Sequence, residues 1–96
     1  MSIATEILRQ LGGRQAQMMM GMKNVIDTGN GLSFRFGKNA SKANYCKITL
    51  NHNDLYTIEL GRIHGLNYKE LDSAYGIFAE NMVSYFENFT KLYLSL

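Results

Sequence analysis

Three short runs of this chain place apolar residues at every second position, and no other feature restricts the possible folds as much. Leu32, Phe34 and Phe36 alternate with Ser33 and Arg35. Cys46, Ile48 and Leu50 alternate with Tyr45, Lys47 and Thr49, and Tyr56, Ile58 and Leu60 alternate with Thr57 and Glu59. A period of two is the period of a strand, whose successive side chains point to opposite faces. Each run is therefore expected to form a strand with one dry face and one wet face. Gly29-Asn30-Gly31 precedes the first run, and Asn-Gly supplies the positive φ values of a tight hairpin, so Val25–Thr28 is expected to pair with Leu32–Phe36. Asn51–Asp54 is a turn between Tyr45–Leu50 and Leu55–Ile63. After Gly65, Leu66–Leu71 reads either as a last edge strand or as the lead-in to a helix.

Helical signals flank the strands. Ser2 can cap a short helix in which Ile3, Ile7, Leu8 and Leu11 share a face, and Gly12-Gly13 stops it. Arg14–Lys23 contains Met18-Met19-Met20, a contiguous run without a 3.6-residue period, and reads as loop or short strand. Toward the C-terminus, Tyr75, Phe78, Met82, Tyr85, Phe89, Leu92 and Leu96 recur at spacings of three and four, which predicts a long helix capped by Asp72 or Ser73. Ala79, Val83, Phe86 and Tyr93 broaden its apolar stripe. The expected architecture is α+β in a single domain over residues 1–96. It has an N-terminal short helix, a three- to four-stranded antiparallel meander, and a long C-terminal amphipathic helix packed on one sheet face as a two-layer sandwich.

Composition narrows the function classes. A chain of 96 residues with one Cys can close no intramolecular disulfide, and 46% hydrophobic residues with a net charge of +2 do not describe a disordered tail. Cys46, His52 and His64 are too few and too scattered for metal-ligand spacing, and Cys46 on an inward strand face is a small hydrophobe. Asp54, Glu59, Glu80 and Glu87 form no acid–base pair, and neither glycine cluster matches a phosphate-binding loop. The protein is therefore expected to be non-enzymatic and to carry no cofactor. The N-terminus lacks a basic secretory n-region, and no apolar run reaches membrane-spanning length, so a cytoplasmic protein without a membrane partner is expected.

Two surfaces remain as candidates. Arg35, Tyr45 and Lys47 fall on the wet face of the expected sheet, with Lys38, Lys42 and Arg62 at its rim. Cations interleaved with an aromatic suit single-stranded nucleic acid or an anionic nucleotide, while the modest net charge and Glu59 on the same face weigh toward a solvated surface. The second surface is the apolar end of the chain. Phe89, Leu92, Tyr93, Leu94 and Leu96 make an apolar end with no charge after Lys91, which is expected to be buried against the body of the protein or, in preference, in a homodimer interface.

Leu11-Gly12-Gly13, Lys23-Asn24, Ser41-Lys42-Ala43-Asn44, Ile48-Thr49-Leu50, Asp54-Leu55-Tyr56, Glu59 and Leu92-Tyr93 with Ser95-Leu96 together resemble a family of small proteins encoded in bacteriophage and prophage genomes. The resemblance runs over nearly the whole chain. Ala16 and Val25 depart from it where aromatics are usual, Met20 where Thr is usual, and Glu80 where Asp is usual. It implies the cytoplasm of a bacterial host and an accessory role. The leading expectation is then a phage-encoded protein of host-takeover or anti-defence type that binds a host macromolecule, chiefly a protein, stoichiometrically as a homodimer. Binding of nucleic acid or an anionic nucleotide is the second expectation, and a minor virion or assembly component is the third.

Overall fold

The alternating runs form the middle of a five-stranded antiparallel sheet whose spatial order follows the chain: β1 (Lys23–Asp27), β2 (Gly31–Arg35), β3 (Tyr45–Leu50), β4 (Tyr56–His64) and β5 (Asn67–Ile77). This computed structural model describes residues 2–37, 39 and 41–91. Strand β3 has the bounds that alternation predicts, and β2 and β4 differ from theirs by one residue at each end. Leu32, Phe34, Cys46, Ile48, Tyr56, Ile58 and Leu60 are all buried on one face.

Three helices contribute to the core. Helix α1 (Ile3–Leu11) is capped by Ser2, whose hydroxyl accepts from the Thr5 amide at 3.1 Å, and it buries Ala4, Ile7 and Leu11. Helix α2 (Gly13–Met20) replaces the expected loop or short strand. Met and Gln are good helix formers, and Ala16 and Met20, four residues apart, supply the buried face. The contiguous Met run hides that face, because Met18 and Met19 point outward. Helix α3 (Met82–Thr90) buries Met82 and Phe86, and the Phe86 ring meets Phe36 edge to face at 5.1 Å.

The long C-terminal helix and the three- to four-strand count are both corrected. Residues 67–77, expected in part as the start of that helix, pair with β4 from His64↔Asn67 to Tyr56↔Ile77. Asp72 and Ser73 are therefore strand residues and cap nothing. Tyr75 is 78% exposed and Phe78 56% exposed, so neither belongs to a buried helical stripe. Strand β4 is nine residues long, and without a neighbour it would leave a row of backbone groups unpaired. Helical spacing of a few aromatics is a weak preference beside that pairing. Gly76 also opposes the helix, since glycine inside one costs about 1 kcal/mol relative to alanine. In the strand it takes φ 67° beside a register shift, the backbone that a bulge uses.

Phe89 packs half-buried against the core. Leu92, Tyr93, Leu94 and Leu96 of the expected interface lie outside the described residues. No helix among the described residues is long and apolar enough to cross a membrane.

Phe86→Ala is expected to cost about 3–5 kcal/mol, a large part of the roughly 5–15 kcal/mol available to a domain, read as a lower urea midpoint or loss of folding. Cys46 supplies a second measurement. Burial, assisted by the Glu59 carboxylate, pushes its thiol pKa far above the ordinary value. The folded pKa thus exceeds the unfolded one, so the linked stability is complete below about pH 8.5 and declines as pH rises beyond it. At pH 8, iodoacetamide should label the native thiol at least about 100-fold more slowly than the urea-unfolded chain.

Candidate functional site

A cleft of about 730 Å³ opens where the β2–β3 connector meets the end of the sheet, and Lys23, Arg35, Lys42 and Arg62 all line it. Four distant parts of the sequence supply these cations. Arg35 ends β2 and is the register partner of Lys23 on β1. Lys23 arrives there because the Gly37 amide donates to the Met20 carbonyl at 2.9 Å, tying the connector to the last residue of α2. Lys42 lies in the connector and Arg62 near the end of β4, where the Arg62 Nη1 donates to the Lys42 carbonyl at 2.9 Å.

Asn44 holds this end of the connector in place. Its Nδ2 donates to the Ile63 carbonyl at 2.9 Å, and its Oδ1 accepts from the Ile63 amide at 2.7 Å. Its backbone does the same in both directions, the carbonyl accepting from the Phe36 amide at 3.1 Å and the amide donating to the Gly61 carbonyl at 2.9 Å. One residue therefore pairs with β4 as a strand would, and links it to the residue just after β2. Asn39 orders the other half. Its Nδ2 reaches the Gly37 carbonyl at 2.9 Å and also the Ala43 carbonyl, while its Oδ1 accepts from the Ser41 amide at 3.0 Å. Lys42 is held at φ 68°, a left-handed backbone that a lysine rarely adopts.

The electrostatics of the cleft are one-sided. None of the described residues lining it is acidic. The ion pair found among the described residues is Glu6 with Arg9 on α1, so it does not involve the cleft cations. The Arg35 Nε is shielded from solvent and meets no acceptor among the described residues. A buried donor left in that condition costs roughly 1–3 kcal/mol. An anion in the cleft would meet four positive side chains, one of them the Arg35 guanidinium.

Tyr45 and Lys47 do not line this cleft. They share the outer sheet face with Arg35, as alternation predicts, but they border a neighbouring hollow with Glu59, Ile63 and Tyr68. Lys38 lies outside the described residues. The sequence-based set thus divides: Arg35, Lys42 and Arg62 come together, and Tyr45 and Lys47 stand beside them. Lys23, Asn44 and Tyr68 were not anticipated. A signal for Tyr68 was present in Gly61, since an isolated glycine within a strand often marks a close approach by another group. A Cβ at that position would come within 2.4 Å of the Tyr68 ring.

Cys46 is buried in the core, His52 lies in a 3-10 turn (His52–Asp54), and His64 ends β4. Among the described residues no three of His, Cys, Asp or Glu come close enough to hold a metal ion. Comparison with known protein families, with curated proteins and with solved structures finds no match to this chain.

Asn44→Ala is expected to cost about 2–3 kcal/mol, because it leaves the Ile63 amide and carbonyl without their partners. Amide hydrogen exchange should locate the loss at Ile63 and the connector, with β1 little changed.

Proposed function

We propose that the protein is a non-catalytic binder of a phosphate-bearing anion, held in the cleft lined by Lys23, Arg35, Lys42 and Arg62. The observation that carries this reading is four cations from separate elements facing one space that no acidic residue among those described lines. Like charges brought together repel, and an anion bound among them offsets that repulsion. Arginine adds geometry to charge. Its planar fork matches two phosphate oxygens, and this cleft has two such forks. The nucleotide expectation therefore moves ahead of stoichiometric binding to a host protein, whose apolar C-terminal surface lies outside the described residues. A phage accessory role remains compatible with it as a proposal from the sequence resemblance.

One observation favours association as a second reading. All five residues of the edge strand β1 are exposed, including Val25 and Ile26, and such an edge can accept another strand. Sedimentation over a range of concentrations would show the homodimer, and a pure monomer at about 50 μM would remove it.

The test of the anion reading is calorimetric titration with inorganic pyrophosphate at low salt. Binding is expected to weaken steeply as salt rises, and the pair Lys23→Gln and Lys42→Asn should weaken it at least about tenfold. Asparagine tolerates positive φ, so the thermal midpoint of that double variant should stay close to that of the parent. Affinity unaltered by the two substitutions would sink the assignment.

A further inference from the structure

Beside the cleft the outer sheet face carries two tyrosines in an unusual arrangement. In the β2–β3–β4 register Arg35 lies opposite Tyr45, and Tyr45 lies opposite Gly61. Gly61 has no side chain, and the Tyr68 ring occupies the space that one would take. The two rings meet edge to face with centroids 5.4 Å apart. The Tyr68 hydroxyl donates to Glu59 Oε2 at 2.5 Å, which fixes the ring over the strand. Tyr68 remains 44% exposed.

A hollow of about 490 Å³ lies against this pair, bordered also by Lys47, Glu59 and Ile63. Its chemistry differs from the cleft's, because here the one cation among the described lining residues, Lys47, is the register partner of the Glu59 carboxylate. The rings stand at 78° to each other, so the pair offers a base the face of one ring braced by the edge of the other, with Ile63 beside it, and the Glu59 carboxylate opposes any phosphate that would settle there. The two spaces are linked on the outer face, where Arg35 of the cleft is the register partner of Tyr45 of the hollow. Strands are spaced by ~4.8 Å, so Arg35 and the Tyr45–Tyr68 pair are separated by roughly 5–10 Å across the sheet. A ligand that reaches both must be charged at one end and flat and uncharged at the other.

We infer that the anion is a nucleoside phosphate, with its phosphate in the cleft and its base stacked on the Tyr45–Tyr68 platform. This inference rests on the anion-binding reading and adds the chemistry of the ligand's other half. The same chemistry occurs in a free nucleotide and in an unpaired nucleic-acid strand. A duplex does not offer it, because its bases are stacked inside the helix. Base–aromatic stacking tolerates any base, so the platform selects for an unpaired base and not for a sequence.

The chain contains six tyrosines and no tryptophan, so tyrosine emission reports stacking directly. The probes are inorganic pyrophosphate, thymidine monophosphate, an oligothymidylate of about 12 nucleotides and a duplex of the same length. Pyrophosphate should bind without quenching, while thymidine monophosphate and the oligothymidylate should bind and quench. Tyr68→Leu should weaken both thymidine probes about tenfold and leave pyrophosphate unchanged, and Tyr68→Phe, which keeps the ring but loses the bond to Glu59, should weaken them less than Tyr68→Leu does. Tyr45→Leu gives the same reading if Tyr68→Leu fails to fold. A tighter oligothymidylate than monophosphate identifies a strand as the source, and equal affinities identify a free nucleotide; both uphold the nucleoside phosphate. Pyrophosphate binding with thymidine probes insensitive to both tyrosines would overturn this inference and leave anion binding standing. Tighter binding of the duplex would overturn it in the same way. If pyrophosphate and both thymidine probes fail to bind, the anion reading falls and this inference with it.

Discussion

The sheet has one face to bury and three short helices with which to bury it. Leu32, Phe34, Cys46, Ile48, Ile58 and Leu60 form an apolar surface that water would penalise at roughly 1.5–3 kcal/mol for each large side chain. Helices α1 and α3 answer that demand through Ile7, Leu11, Met82 and Phe86, and α2 adds Ala16 and Met20. Because side chains alternate, committing one face to the core leaves the opposite face to other residues. Arg35, Tyr45, Lys47 and Glu59 lie on that opposite face.

The end of the sheet follows a different logic, which is hydrogen bonding. The β2–β3 connector is too polar to collapse as a core would, and its order comes from amide side chains that imitate backbone. Asn44 reproduces a strand pairing with Ile63, and Asn39 bridges Gly37, Ser41 and Ala43. Arg62 has two roles there, holding the Lys42 carbonyl and lending its charge to the cleft. The Ser41-Lys42-Ala43-Asn44 segment thus reads as a built loop, with Ala43 buried beneath it and Lys42 held in a left-handed backbone. Such a loop places a charge at a defined position with little core to support it.

Cleft and platform depend on that division. Gly61 links them, because the absence of a side chain on the outer face of β4 admits the Tyr68 ring beside Tyr45. Tyr68 in turn engages Glu59, which borders the aromatic hollow and does not line the cationic cleft. Partial burial and the Glu59 carboxylate raise the Tyr68 pKa, so its hydroxyl remains the donor at neutral pH.

What the sequence determined by itself was whatever depends on neighbours a few residues away. The period of two placed β2, β3 and β4 and sorted their faces, which is why Arg35, Tyr45 and Lys47 could be assigned to one surface. Ser2 marked the start of α1, and Gly12-Gly13 marked its end. Tertiary structure decided what depends on distant partners. Strand β5 continues through Tyr75 because β4 has backbone groups to satisfy, a requirement that helical spacing of aromatics cannot register. Helix α2 appears because the core accepts Ala16 and Met20 and leaves Met18 and Met19 in water, a distinction that three consecutive methionines conceal. Lys23 joins Arg35, Lys42 and Arg62 only after a connector has been tied to a helix end. Local periodicity encodes which way a side chain points, whereas a site is made by long-range pairing that brings separate segments to the same place.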